Sequence, residues 1–201
     1  MKVLMINGSP NKNGCTYTAL SIVAEALAAE GVESEIVWLG NGPVRDCIGC
    51  GACRKAGKCV FDDDGLSAII EKCAEADGFV FGSPVYYSHP SGRLLSVLDR
   101  LFFSSSKLLR GKPGAAVVSA RRAGTSSSLD VICKHFTINQ MPLISSSYWN
   151  MVHGAKAKDV WQDEEGVQTM RNLGRNMASY LKGEGAPNPN NEYGSWTCFV
   201  R

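Results

Sequence analysis

Short apolar runs and segments of helical period alternate along most of this chain. Residues 2 to 6, 32 to 39, 78 to 82, 114 to 119 and 142 to 146 are apolar stretches of strand length. Between them, apolar residues recur at the i, i+3, i+4, i+7 spacing of helices buried on one face. Leu20, Val23, Ala24, Leu27 and Ala28 mark a first helix that Gly31 stops. Leu66, Ile69, Ile70 and Cys73 mark a second, and Leu94, Leu98, Leu101 and Phe102 a third. Leu129, Ile132, Cys133 and Phe136 mark a fourth, and Val167, Met170, Leu173, Met177, Tyr180 and Leu181 the last. Cys73 and Cys133 thereby read as core hydrophobes. This alternation predicts an α/β chain with a doubly wound parallel sheet covered on both faces. Five strands suit the order 2-1-3-4-5, with one ligand crevice at the carboxyl ends of the strands.

The size and composition, 201 residues of which 44% are hydrophobic, fit one domain over residues 1 to 182. The segment 183 to 201, with Pro187 and Pro189, reads as an irregular tail. It finishes on Trp196-Thr197-Cys198-Phe199-Val200, an apolar plug that docks either on a neighbouring subunit or in a groove of its own domain. The 21 basic and 19 acidic residues are dispersed, so no polycationic arm points to nucleic acid, and small-molecule partners are favoured. No apolar run approaches the roughly 18 residues needed to cross a bilayer, and Lys2 to Ile6 is too short for a secretory core. The expected location is the cytoplasm. In that reducing compartment clustered cysteines bind metal or do redox chemistry more often than they form disulfides.

Such a cluster follows the second strand: Cys47, Cys50, Cys53 and Cys59, spaced Cys-x2-Cys-x2-Cys-x5-Cys. Three thiolates can point inward from one turn, and six residue steps of at most about 3.6 Å let Cys59 close a four-sulfur cage. Gly49, Gly51 and Gly57 supply the backbone freedom a [4Fe-4S] cluster asks of its loop. Tetrahedral zinc is the competing metal, although its cysteines usually come as two separated pairs. A reduced, metal-free loop at an oligomer interface and a disulfide are the remaining readings.

Three other loops line up at the same end of the sheet. Asn7 to Thr18 leads from the first strand into the first helix with glycines, hydroxyls and a lysine, the ingredients of an anion site at a helix N-terminus. Ser9, Lys12, Thr16 and Thr18 are the side chains to place around a phosphate. The loop matches neither Gly-x-Gly-x-x-Gly nor Gly-x4-Gly-Lys-Ser/Thr, so a monophosphate fits better than a dinucleotide or a triphosphate. A plain capping turn is the alternative. Gly82 to Gly92 offers backbone N–H groups and the aromatic faces of Tyr86 and Tyr87 to a planar cofactor. Ser119 to Ser128 adds Arg121 and Arg122, either ligands of a flavin edge or nucleotide phosphate or simply solvated. Cys15, at the helix start, is a reactive thiol or, more safely, a small buried turn residue. His89 reads as structural or exposed, and His135 and His153 have no recognisable partners.

Together these loops resemble the flavodoxin-like NAD(P)H-dependent FMN reductases and, among them, the iron-sulfur flavoproteins of anaerobic microbes. The likeness spans about residues 1 to 182. It runs through Gly8-Ser9-Pro10, the four cysteines followed by Asp62-Asp63-Asp64, Ala76-Asp77-Gly78, Gly82 to Tyr86, and Leu98-Asp99-Arg100. The resemblance implies a flavodoxin-like fold with FMN phosphate at Ser9, Pro10, Lys12, Cys15, Thr16 and Thr18. It also implies the isoalloxazine beside Pro84, Val85, Tyr86 and Tyr87, and further contacts from Ala120, Arg121 and Gly124. A [4Fe-4S] cluster would sit on Cys47, Cys50, Cys53 and Cys59, in a homodimer or homotetramer. NAD(P)H would reduce the flavin, which would then reduce a small-molecule acceptor or a ferredoxin-like protein without a catalytic side chain. Asn11 stands where such proteins often have arginine or lysine and Cys15 where asparagine is common, so Lys12 would supply the charge. The rivals are an electron carrier without nicotinamide activity and a thiol sensor in which FMN is structural.

Overall fold

The computed structural model describes residues 1–199. In chain order the elements are β1 (Lys2–Asn7), α1 (Cys15–Ala29), β2 (Glu33–Trp38), the single turn α2 (Cys53–Ala56), α3 (Leu66–Glu75), β3 (Gly78–Tyr86) and β4 (His89–Pro90). Then come α4 (Gly92–Leu109), β5 (Gly114–Ala120), α5 (Thr125–Ile138), β6 (Met151–His153), a 3-10 turn (Ala157–Gln162) and α6 (Glu164–Leu181). The sheet runs β2-β1-β3-β5-β6 with every pair parallel, and β4 folds back antiparallel on the end of β3. Setting aside two-residue β4, this is the expected 2-1-3-4-5 order and a flavodoxin-like arrangement.

Because successive strand residues point to opposite faces, β1 feeds two cores. Val3 and Met5 pack with Leu20, Val23, Leu27, Met170, Leu173 and Met177 of α1 and α6. Leu4 and Ile6 pack with Phe79, Phe81, Leu98, Leu101 and Phe136 beneath α3, α4 and α5. Cys73 is fully buried there, and burial pushes its thiol up to about 12, with Lys112 pulling weakly the other way. Cys133 is partly buried against the same core, and its thiol is also raised, chiefly by burial and then by Asp130. Both behave as hydrophobes rather than reactive thiols.

The fifth strand does not lie where the apolar pattern put it. Residues 142 to 146 meet the sheet only through the bridge Gly114↔Leu143, and regular pairing begins at Val118↔Met151. Pro142 has no N–H to offer a ladder; its carbonyl accepts from Gly114 N (2.9 Å), while Ile144 N donates to Gly114 O (2.9 Å). The serines beyond are claimed by α6. Asn176 Nδ2 donates to Ser145 O (2.8 Å), Ser146 Oγ to Thr169 O (2.6 Å) and Asn172 Nδ2 to Ser147 Oγ (2.9 Å).

The tail lies on its own chain, returning along α6. Asn176 Oδ1 accepts from Asn188 N (2.8 Å), Asn172 Oδ1 from Glu192 N (2.8 Å) and Gln168 Oε1 from Ser195 N (2.9 Å), while Glu165 N donates to Thr197 Oγ1 (3.0 Å). Residues one turn apart on one helix stripe thus clasp successive segments of an extended backbone. The clasp is polar. Tyr193, Trp196 and Phe199 stay more than half exposed, although the Phe199 ring lies 5.0 Å from that of His153. Val200, the end of the expected plug, lies outside the described residues. Among the described residues no helix is long and apolar enough to cross a membrane.

Candidate functional site

The carboxyl ends of β1, β3, β5 and β6 surround a cleft of about 650 Å³, within the usual range for small-molecule sites. Its floor is the turn between β1 and α1, which side chains shape through their own hydrogen bonds. Asn7 Oδ1 accepts from Ser9 N (3.0 Å) and Asn7 Nδ2 donates to Lys12 O (3.1 Å), while Ser9 Oγ accepts from Asn11 N (3.1 Å). Trp38 at the end of β2 donates through Nε1 to Ser9 O (2.8 Å), and the Lys12 ammonium sits 5.7 Å from the centre of the Trp38 ring. No side chain caps α1 and no acid stands in its first turn, so the first N–H groups and positive end of the helix open onto the cleft. Thr16 bonds Ser119 of β5 across the floor (Oγ1 to Oγ, 2.8 Å), tying the first loop to the third.

Ser9, Lys12, Cys15 and Thr16 line this cleft, as do Pro84, Val85 and Tyr86 from β3 and Ala120 and Arg121 after β5. Pro10, Thr18, Tyr87 and Gly124 do not belong to its lining. Thr18 points back into its helix, donating to Gly14 O (3.2 Å). Tyr87 is fully exposed at the tip of the β3–β4 hairpin, where Tyr87 and Ser88 both take positive φ (51° and 61°), the pattern of a two-residue type I′ turn. Gly124 has φ 88° at the start of α5, and a Cβ there would lie 2.6 Å from Ser88 Cα. It is the point at which the third loop presses on the hairpin. Cys15 Sγ donates to Gly154 O (3.4 Å); burial, and then Asp159, hold its thiol above the ordinary cysteine range, which suits the turn residue rather than the reactive thiol.

Asn11, Asn13, Gly14, Ser119 and a third wall, Gly154, Ala155 and Lys156, also line the cleft. That wall follows β6 at Met151–His153, whereas a fifth strand at 142 to 146 puts no part of 154 to 156 at the rim. The glycine and lysine alone carried no signal without the strand before them. The two histidines thought to lack partners have them. His135 Nε2 is 3.2 Å from Asp99 Oδ1, and His153 Nδ1 is 3.2 Å from Asp163 Oδ2. Burial raises the Asp163 carboxyl, but the His153 ring and the backbone N–H groups of Gly166 and His153 outweigh it and leave it below the usual carboxylate range.

A second cavity lies beyond β2, where Cys47, Cys50, Cys53 and Cys59 share a lining with Ile48, Val60, Phe61, Arg100 and Phe103. Gly49, Gly51 and Gly57 all take positive φ near 65°, so the loop folds around the thiols in a conformation that side chains resist. Cys53 opens α2, a turn the apolar pattern does not register, and its thiol lies 3.5 Å from Phe103 O. Arg100, from α4, is 1% exposed. Its Nε donates to Cys59 Sγ (3.3 Å), one terminal nitrogen donates to Asp64 and Arg45 O (3.1 Å), and the other donates to Phe61 O (2.9 Å). Burial raises the Asp64 carboxyl, yet its bonds from Arg100 and from backbone N–H groups hold it low. Four soft donors around one cavity, with Cys53 and Cys59 already hydrogen-bonded, fit a thiolate-ligated cluster in kind and number. The thiols are not drawn together: among the described residues no three His, Cys, Asp or Glu side chains form a metal-holding group.

The family model described as NADPH-dependent FMN reductase matches residues 1–156, which contain all the strands and the cysteine loop. An iron-sulfur flavoprotein of Methanocaldococcus jannaschii is 34% identical over 194 residues, an alignment spanning 90% of this chain and 98% of the relative. An iron-sulfur flavoprotein of Methanosarcina thermophila is 29% identical over 186 residues, covering 90% and 96%. Among solved structures, an archaeal flavodoxin superposes with TM-score 0.64 at 14% identity over 90% of this chain and 99% of its own. A flavone reductase superposes with TM-score 0.68 at 18% identity over 96% and 66%. At those identities the structures speak for the fold alone. With the match running through the sheet, the β1–α1 turn and the cysteines alike, this chain belongs to the NADPH-dependent FMN reductase family, a family of flavin oxidoreductases and electron carriers.

Proposed function

We propose that the protein binds FMN in the cleft at the strand ends and passes electrons from NAD(P)H to an acceptor, with a [4Fe-4S] cluster on Cys47, Cys50, Cys53 and Cys59 as its one-electron outlet. The observation that carries this is the shaped β1–α1 turn. Ser9, Lys12, Thr16 and the uncapped start of α1 face one cleft, a donor set suited to a phosphate monoester. Pro84, Val85 and Tyr86 supply an apolar wall for a planar ring, and Arg121 and Lys156 add positive charge to the same cleft as Lys12. Bound FMN would supply two-electron acceptance from NAD(P)H and one-electron release. The chain's own part is to hold the phosphate, fix the ring against the hairpin and keep one face open to reactants.

Anaerobically purified protein should show a flavin spectrum together with iron and acid-labile sulfide, and stopped-flow mixing with NADPH or NADH should bleach the flavin band. Colourless protein that takes up no added FMN would end this reading. A carrier without nicotinamide activity is the second reading, favoured by the exposed apolar rim of Ile48, Val60 and Phe103 at the cysteine cavity, a surface suited to a protein electron partner. Absence of bleaching with either nucleotide would select it.

A further inference from the structure

We infer that Arg100 is a positioning residue for the metal centre, and that its Nε–H bond to Cys59 Sγ raises the reduction potential of the cluster. The inference rests on the cluster reading above. The guanidinium is buried, and its orientation is over-determined. Asp64, Arg45 O and Phe61 O take three of its bonds, and the charged group lies 5.7 Å from the centre of the Phe61 ring. Those contacts leave Nε–H aimed at the sulfur (3.3 Å). A lysine has no planar fork with which to hold such a bond.

A donor on a ligating sulfur withdraws charge from it, and a buried cation nearby favours the more negative, reduced state of the centre. Asp64 opposes this. Its carboxylate pairs with the same guanidinium and cancels much of the field. The two residues should therefore move the potential in opposite directions when changed. A mere loosening of the loop, which Arg100 also anchors through Arg45 and Phe61, would move both the same way.

The test is a potentiometric titration of anaerobic holoprotein followed by electron paramagnetic resonance, with iron and sulfide assayed in each sample. Arg100→Lys should lower the cluster potential by the equivalent of about tenfold in its equilibrium with a one-electron mediator, about 59 mV. Asp64→Asn should raise it, and the flavin couple should stay in place. Cluster-replete variants that leave the potential unmoved, or shift it the same way, overturn the role of Arg100 while leaving the cluster reading intact. Wild-type protein without iron and sulfide overturns the cluster reading itself. Should Arg100→Lys not fold, wild-type protein grown with guanidinium-labelled nitrogen-15 arginine supplies the answer. A nitrogen hyperfine coupling on the reduced cluster supports the bond, and its absence overturns it.

Discussion

Replacing Gly124 by alanine tests whether the hairpin wall of the cleft is held by backbone contact. At φ 88° an alanine pays about 1–2 kcal/mol for the left-handed conformation alone. The new Cβ would stand 2.6 Å from Ser88 Cα, 2.8 Å from its Oγ and 3.0 Å from its Cβ, and a packed backbone cannot yield cheaply, so overpacking adds about 1–3 kcal/mol. The full strain, about 2–5 kcal/mol if nothing moves, is relieved only by pushing the hairpin away. That would stretch the 2.7 Å bond from Ser127 Oγ to Ser88 O and shift Pro84, Val85 and Tyr86. Urea unfolding of the flavin-free protein measures the strain retained. Flavin fluorescence titration measures the strain passed to the cleft, at about tenfold in Kd for each 1.4 kcal/mol. Ser88→Gly should restore part of either loss, since it removes two of the three close contacts and the positive-φ strain at Ser88. A Gly124→Ala protein with wild-type stability and wild-type FMN affinity would refute the reasoning.

Lys12→Ala should weaken FMN binding by about 10- to 150-fold, the worth of a charge-assisted bond of about 1.5–3 kcal/mol, with less effect on riboflavin; equal losses for both ligands would remove Lys12 from the phosphate. The Asp163 carboxyl is held low in the folded state, so its stabilisation is complete above the unfolded value of about 3.9 and is lost as pH falls through the lower folded value. Acid unfolding followed by circular dichroism should therefore lose part of its pH dependence below about pH 4 in Asp163→Asn; an unchanged acid limb counts against this. Asn172→Ala should cost about 1–3 kcal/mol, because the fully buried amide bonds Ser147 and both backbone groups of Glu192, and limited proteolysis should then cut the tail sooner. Equal proteolysis rates would show that the tail does not depend on this clasp.

Periodicity and spacing were enough to read the alternation of strands and helices, the order of the sheet and the four cysteines, because each is written in residues close together along the chain. They also brought Ser9, Lys12, Cys15, Thr16, Pro84 to Tyr86, Ala120 and Arg121 to one cleft, since the ends of parallel strands must meet at one rim. Other features were decided by pairings between distant residues. Gly124 meets the hairpin at Ser88, a contact that spacing along the chain does not register. The wall Gly154 to Lys156 depends on where the fifth strand falls, and that was settled when the buried asparagines of α6 took the serines after Pro142 away from the sheet. Arg100 was one letter of a motif until folding set it against Cys59, Phe61, Asp64 and Arg45. Hydrophobic pattern records which face of an element is buried, and so the sequence by itself determined the layers. Which polar groups meet inside them depends on bonds such as Asn172 to Ser147, 25 residues apart, and Arg100 to Cys59, 41 apart, and only the tertiary structure decided those.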